Sequence, residues 1–199
     1  DWYREDHDTI LSRNTCEGFG LTFRLESAKT EIIANLQRFL GSSELKRCLS
    51  EKLGVNESNS AFSGGIQKNL DGYEISPHPD VRQKRLYFIA NIHPNPAPDL
   101  EAYGTHYMSF KNRYKYIYDF WKYNTGIDRA WVPWDWCETS FIHKKNNSAI
   151  FFANSDDTIH GVKLRYDHLN NQRTQINLNF TDIRKKSVKE HHWTELRLA

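Results

Sequence analysis

Cysteine is scarce in this chain of 199 residues: Cys16, Cys48 and Cys137 are odd in number, far apart and without a CxxC pair. Neither a disulfide framework nor a zinc ribbon is legible, and thiols so placed suit a reducing compartment, so a cytoplasmic location is expected. Long apolar runs are missing as well. No stretch approaches the ~20 residues that a spanning helix needs, so no membrane span is expected. The opening segment Asp1–Asp8 is acidic and aromatic, unlike a retained secretory or transit segment. An excess of charge is also lacking, since 27 Lys and Arg face 25 Asp and Glu. Duplex-binding proteins usually carry a marked basic excess, so no obligatory nucleic-acid partner is expected. Repeats of fixed period are absent.

What is present suffices for a folded core. Hydrophobic residues make up 38% and aromatics 14% of the chain, which excludes general disorder and suits a single domain over 1–199. Residues Thr22–Leu25 read as a short strand. From Ser27, a candidate cap, the reading becomes helical: Ile32, Ile33, Leu36, Phe39 and Leu40 recur at helical spacing up to Gly41. A second helix, Ser43–Leu53, carries Leu45, Leu49 and Leu53 on one stripe, and Gly54 ends it. The polar, Gly- and Ser-rich stretch Asn56–Gly65 reads as a loop.

Beyond it the period changes from helical to alternating. Gly72–Ser76, Arg85–Ile92, Tyr103–Phe110, Thr139–His143, Ala149–Ala153, His160–Leu164 and Arg173–Phe180 read as short strands between turn-forming clusters. Many short strands without intervening helices predict a mainly β fold with flanking helices, as a sandwich, jelly roll or barrel. The tail from Asp182 has the pattern of a terminal helix, with Val188, Trp193 and Leu196. In the strand 173–180, Arg173, Gln175, Asn177 and Asn179 alternate with Thr174, Ile176, Leu178 and Phe180. Such a strand has one polar and one apolar face. The polar face either meets solvent or lines a barrel interior, with the apolar face then packed outward under helices.

Chemistry concentrates in Tyr73-Glu-Ile-Ser-Pro-His78-Pro-Asp80 and, 80 residues after Asp80, in His160-Gly-Val162. Two neutral imidazoles and one carboxylate on one face of a metal form the ligand set of non-haem Fe(II) oxygenases. Thirteen residues after His160 stands Arg173, whose planar guanidinium can grip a carboxylate with two parallel hydrogen bonds. A J-domain cochaperone also carries His-Pro-Asp, but between helices, whereas here the motif leads into strands. His160 alone would read as a structural histidine; its joint occurrence with His78, Asp80 and Arg173 makes it a ligand candidate.

This ordered set resembles the Fe(II)/2-oxoglutarate-dependent oxygenases, in particular the prolyl-4-hydroxylase-like branch, over about residues 68–182. The residues that carry the resemblance are Tyr73, His78, Asp80, Lys84, the strand 85–92, Gly104-Thr105-His-Tyr107, the run Asn147–Phe152, His160-Gly-Val162 and Arg173. The resemblance implies a double-stranded β-helix (jelly-roll) core over 68–182, supported by N-terminal helices over 27–54. It implies Fe(II) on His78, Asp80 and His160, with O2 as oxidant and 2-oxoglutarate as cosubstrate. Arg173 would anchor the far carboxylate, with Tyr87 and Tyr73 as further cosubstrate contacts. Gln175 departs from the pattern, since many members carry Ser two residues after the Arg, and Tyr87 and Asn91 stand where the branch often has Thr and Tyr. Retention of Asp80 implies oxygen insertion or another oxidation, most simply hydroxylation, rather than halogenation, because related halogenases carry a small residue there. A small-molecule or sugar-type substrate is expected, with a protein (prolyl-type) substrate or a cupin-like metal-binding module as alternatives.

An aromatic insertion, 111–137, interrupts the strands with Tyr114, Tyr116, Tyr118, Phe120, Trp121, Tyr123, Trp131, Trp134 and Trp136. Either it is a lid, a helix Asn112–Tyr123 followed by a loop with Trp131, Trp134 and Trp136 on the substrate side, or it packs against the barrel. In an extended loop Trp134 and Trp136 would face one way.

Overall fold

Alternation between turn-forming clusters turns most of this chain into strands. The computed structural model describes residues 2–11, 15–93, 104–163 and 173–184, with side chains described from Thr22 onward except at 70–72. The fold is mainly β. Its strands are β1 (Trp2–Leu11), β2 (Thr15–Leu25), β3 (Ser60–His78), β4 (Lys84–Asn91), β5 (Thr105–Phe110), β6 (Cys137–His143), β7 (Ser148–Ala153), β8 (Ile159–Val162) and β9 (Arg173–Asp182). Three α-helices join them: α1 (Glu31–Leu40), α2 (Ser43–Leu53) and α3 (Tyr116–Tyr123). Among the described residues no helix is long and apolar enough to cross a membrane.

The long strand β3 belongs to two antiparallel sheets. Its first half pairs with β9, from Ser60 opposite Asp182 to Asn69 opposite Arg173. Its end pairs with β8, where Ile75 faces Val162 and His78 faces His160. One sheet therefore reads β3-β9-β4-β7, with β2 and β1 added beyond β3, and the other reads β3-β8-β5-β6. From β4 to β9, successive strands fall in the first, second, second, first, second and first sheet.

Packing follows the alternation. On the outer face of the first sheet, Ile66, Ala90, Ile176 and Leu178 bury against Leu40, with Ile33 and Leu36 of α1. Leu86 and Phe180 bury against Leu49 of α2. The outer face of the second sheet buries Met108, Phe110, Cys137 and Ile159 against Ile117, Trp121 and Val132. The opposite face of β9 is polar yet sealed: Arg173, Gln175 and Asn177 are 6%, 2% and 5% exposed. Burying such groups is costly unless they are paired, so this face is an interior and not a solvated surface. Gln175 Nε2 donates to Asn91 Oδ1 at 2.8 Å, and Asn91 Nδ2 donates to the carbonyls of His143 and Lys145.

Several expectations shift. Thr30, not Ser27, holds the N-cap position of α1, because the chain still bends at Lys29 and Thr30. Ile33, Leu36 and Leu40 form its packed stripe, and Ile32 and Phe39 lie off it, exposed. The helix Ser43–Leu53 forms as expected, with Ser42 accepting from the Leu45 N–H. The stretch expected as a loop to Gly65 instead enters β3 at Ser60. Its Ser and Gly residues mask the alternation, but Gly64 is required there: a Cβ would lie 2.0 Å from the Asn177 carbonyl oxygen, at φ +135°. Asn112–Tyr114 forms a 3-10 turn, so the α-helix in the insertion begins only at Tyr116. The expected terminal helix beyond Arg184 lies outside the described residues.

Candidate metal centre

His78 is the last residue of β3, and its register partner His160 sits in the middle of β8, so the pairing of two strands places the imidazoles side by side. Their ring centroids are 4.7 Å apart. Pro79, which offers no N–H to a ladder, ends the strand, and Asp80 follows in the link before the turn at Arg82. His78, Asp80 and His160 are all buried, and one ligand atom from each lies within 4.8 Å of the others. Gly161 lets β8 approach this closely, since a Cβ there would meet the Ile75 carbonyl oxygen at 3.0 Å and Trp134 at 3.2 Å.

The hydrogen bonds prepare these side chains as ligands. His78 Nδ1 lies 2.8 Å from the Ser76 carbonyl oxygen, and His160 Nδ1 lies 3.1 Å from that of Thr158. A carbonyl only accepts, so each Nδ1 carries the proton and each Nε2 presents a lone pair. Burial, with His160 as neighbour, pulls the His78 pKa down to about 3, and burial also lowers that of His160. Both are neutral at pH 7. The 3.8 Å between His160 Nε2 and Asp80 Oδ2 is therefore no ion pair. For Asp80, burial works toward the protonated form, but Lys84, then His160 and His78, outweigh it and bring the carboxyl to about 2. Lys84 Nζ donates to Oδ1 at 2.6 Å, while Oδ2 is buried with no hydrogen-bond partner. An orphaned carboxylate oxygen beside two imidazole lone pairs is a donor set that fits a divalent metal.

A second group lies deeper between the sheets. Arg173 donates to Thr105 Oγ1 at 2.5 Å, and among the described residues no carboxylate pairs with it. Burial lowers its pKa, while Tyr73, Tyr107 and Tyr87 are close enough to act on its charge. Tyr87 and Tyr107 also flank His160, with ring centroids 6.1 and 6.3 Å from the imidazole. Burial raises both phenols, which keeps their hydroxyls protonated as donors. The Tyr107 hydroxyl is buried without a partner. His93 and His143 complete this end; burial and Arg173 hold His93 at about 4 and lower His143, so neither competes as a cation.

The aromatic insertion divides. Ile117, Trp121 and Val132 belong to the core of the second sheet's outer face. Trp136 stacks on Tyr114 at 4.8 Å. Trp134–Trp136 is a 3-10 turn and not an extended segment, so Trp134 and Trp136 do not share a direction as expected. Trp134 packs edge-on against His106. Trp131 alone of the three stands by the ligands, 5.8 Å from the His78 ring, with its indole N–H buried and unpartnered.

Three contributors were assigned no role from the sequence: Arg129, and Thr105 and Tyr107, which were named only within the run that carries the resemblance. Thr105 and Tyr107 carry a signal, a two-residue spacing that puts both on one strand face. Arg129 carries none, being one Arg in a Trp-rich loop. Comparison with models of known protein families gives no match, and comparison with curated proteins gives none either, so the functional argument rests on the site itself.

Proposed function

We propose that this protein is an Fe(II)- and 2-oxoglutarate-dependent dioxygenase that hydroxylates a small-molecule or sugar-type substrate, built on a double-stranded β-helix of the prolyl-4-hydroxylase-like branch. The strand order supports the fold: the two halves of β3 with β4–β9 make eight segments divided four and four between two sheets, alternating except where β5 and β6 follow each other in the second, as in a jelly roll. The observation that carries the function is the occurrence of two buried features in one interior, the His78–Asp80–His160 donor set and the guanidinium of Arg173, which has no carboxylate partner among the described residues. A buried cation without a counter-ion costs several kcal/mol, on the order of the effective penalty for desolvating one charge, and an anionic ligand offsets it. A cupin-like binding module gives Arg173 no such ligand.

His78, Asp80 and His160 would hold the iron, and Arg173 would bind the far carboxylate of 2-oxoglutarate, with Tyr87, Tyr73 and the unpartnered Tyr107 hydroxyl as neighbouring contacts. When bound, the iron supplies the redox chemistry that couples O2 reduction and decarboxylation of 2-oxoglutarate, to succinate and CO2, to substrate oxidation. The chain's own part is to keep both imidazoles unprotonated, to hold Asp80 anionic through Lys84, and to exclude water by burial. Trp131, whose indole N–H is buried beside His78 with no partner among the described residues, would meet substrate.

The test is succinate formation by the Fe(II)-loaded protein with 2-oxoglutarate and O2. Wild type is expected to release succinate, and Asp80→Ala and His78→Ala to release none above background. Wild-type turnover in either variant would remove this mechanism.

A further inference from the structure

Asp80 lies in the irregular link between the end of β3 and the turn at Arg82, not in a strand, so no ladder fixes it. What fixes it comes from elsewhere in the chain. The Asp80 carbonyl oxygen accepts from the guanidinium of Arg129, 49 residues on, and from Asn154 Nδ2 at 3.2 Å. Asn154 Nδ2 also reaches the carbonyls of Val81 and Lys84. On the other side of His78, the Val132 N–H donates to the Pro77 carbonyl at 2.9 Å. Arg82, two residues beyond Asp80, closes the loop: its backbone N–H donates to Asp128 Oδ1, and its guanidinium to the carbonyls of Ile127 and Trp121 at 2.6 Å.

Arg129 itself is 7% exposed, and its second amino group donates to Asp156 Oδ1 at 3.2 Å. Asp156 lies in the turn before β8, two residues ahead of Thr158, whose carbonyl orients His160. One guanidinium thus bridges the segment that carries Asp80 and the segment that delivers His160. A guanidinium holds two such acceptors through separate nitrogens in a fixed planar fork, whereas an ammonium has all its donors on one nitrogen at the end of a flexible stem.

We infer that Arg129 is a positioning residue for the metal centre, acting through the Asp80 backbone and Asp156, and that residues 127–132 brace the ligands and do not serve as a mobile cover. The inference rests on the metal-site reading above, and its test separates the two. Mn(II), which needs no reductant, is titrated into wild type and variants, with Co(II) absorption as the readout of ligand geometry and metal-free melting as the readout of folding. Arg129→Met is expected to weaken Mn(II) binding by about 10–100-fold, the range for losing a group that orients metal ligands, and to alter the Co(II) spectrum. Arg129→Lys is expected to fall between Arg129→Met and wild type. Ile117→Ala, a cavity in the same insertion at an apolar side chain that makes no hydrogen bond to the Asp80 segment, should lower the melting temperature and leave Mn(II) affinity at the wild-type value.

A folded Arg129→Met with wild-type affinity overturns the inference. So does Ile117→Ala weakening Mn(II) as much as Arg129→Met at equal loss of melting temperature. If Arg129→Met does not fold, Arg129→Lys and Asp156→Asn decide, and unchanged affinity and spectrum in both overturns it. Wild type that holds no Mn(II) is a different result, which overturns the metal-site reading and the inference with it.

Discussion

The two carboxylate oxygens of Asp80 have different tasks. Oδ1 is engaged by Lys84, while Oδ2 is left buried and unpartnered beside His160. Lys84→Met therefore removes the main group that holds Asp80 anionic, and Fe(II) or Mn(II) affinity should fall by about 10–100-fold, as for other groups that orient metal ligands. Arg173→Gln is expected to leave metal affinity intact and to weaken 2-oxoglutarate binding by at least about 30-fold, the factor for ~2 kcal/mol, the low end for truncating a buried charge pair. Tyr107→Phe gives a sign that distinguishes ligand binding from packing. Its hydroxyl has no partner among the described residues, so removing it should not lower the melting temperature of the metal-free protein. It should nonetheless raise the KM for 2-oxoglutarate about tenfold, the lower end for a hydrogen bond to a charged group. An unchanged KM would assign that hydroxyl to water alone.

Among the elements, β9 was the most legible in sequence, because its period of two separates Arg173, Gln175 and Asn177 from Ile176, Leu178 and Phe180 up to Phe180. Which face is inside was not legible. That depends on α1 and α2 covering Ile176, Leu178 and Phe180, a long-range packing event. The start of β3 was hidden for a local reason, since Ser60, Ser63, Gly64 and Gly65 have the composition of a loop and take strand geometry only through pairing with β9. Gly64→Ala should cost about 2–5 kcal/mol, adding a clash with the Asn177 carbonyl to a strained positive φ, measured by chemical denaturation. A loss below about 0.5 kcal/mol, within the range of ordinary surface substitutions, would mean that β3 and β9 do not pair as closely as described.

At the scale of the whole molecule, the candidate centre is a product of register. His78 and His160 are 82 positions apart in the chain, and neighbouring motifs state only that both are ligand-type residues. It is the antiparallel pairing of β3 with β8 that sets them opposite each other, and the pairing of β3 with β9 that brings Arg173 into the same interior. The role of the insertion was not legible, because aromatic residues suit a cover and a core equally well. Ile117, Trp121 and Val132 decide it by burial. Replacing residues 112–136 with a short Gly-Ser linker should therefore expose Met108, Phe110 and Ile159 and abolish cooperative melting. A lid would instead come away with the fold and metal binding preserved.

The central claim joins the metal ligands and Arg173 into one cosubstrate site. Its most direct test is optical: Fe(II) is added without oxygen to the protein, followed by 2-oxoglutarate, and the visible spectrum is recorded. A chelate of 2-oxoglutarate on the metal should give a weak charge-transfer band in wild type that saturates with the cosubstrate. The band should require at least about 30-fold more 2-oxoglutarate in Arg173→Gln and be absent in Asp80→Ala. Wild-type protein that is loaded with Fe(II) and shows no band at saturating 2-oxoglutarate would contradict the account.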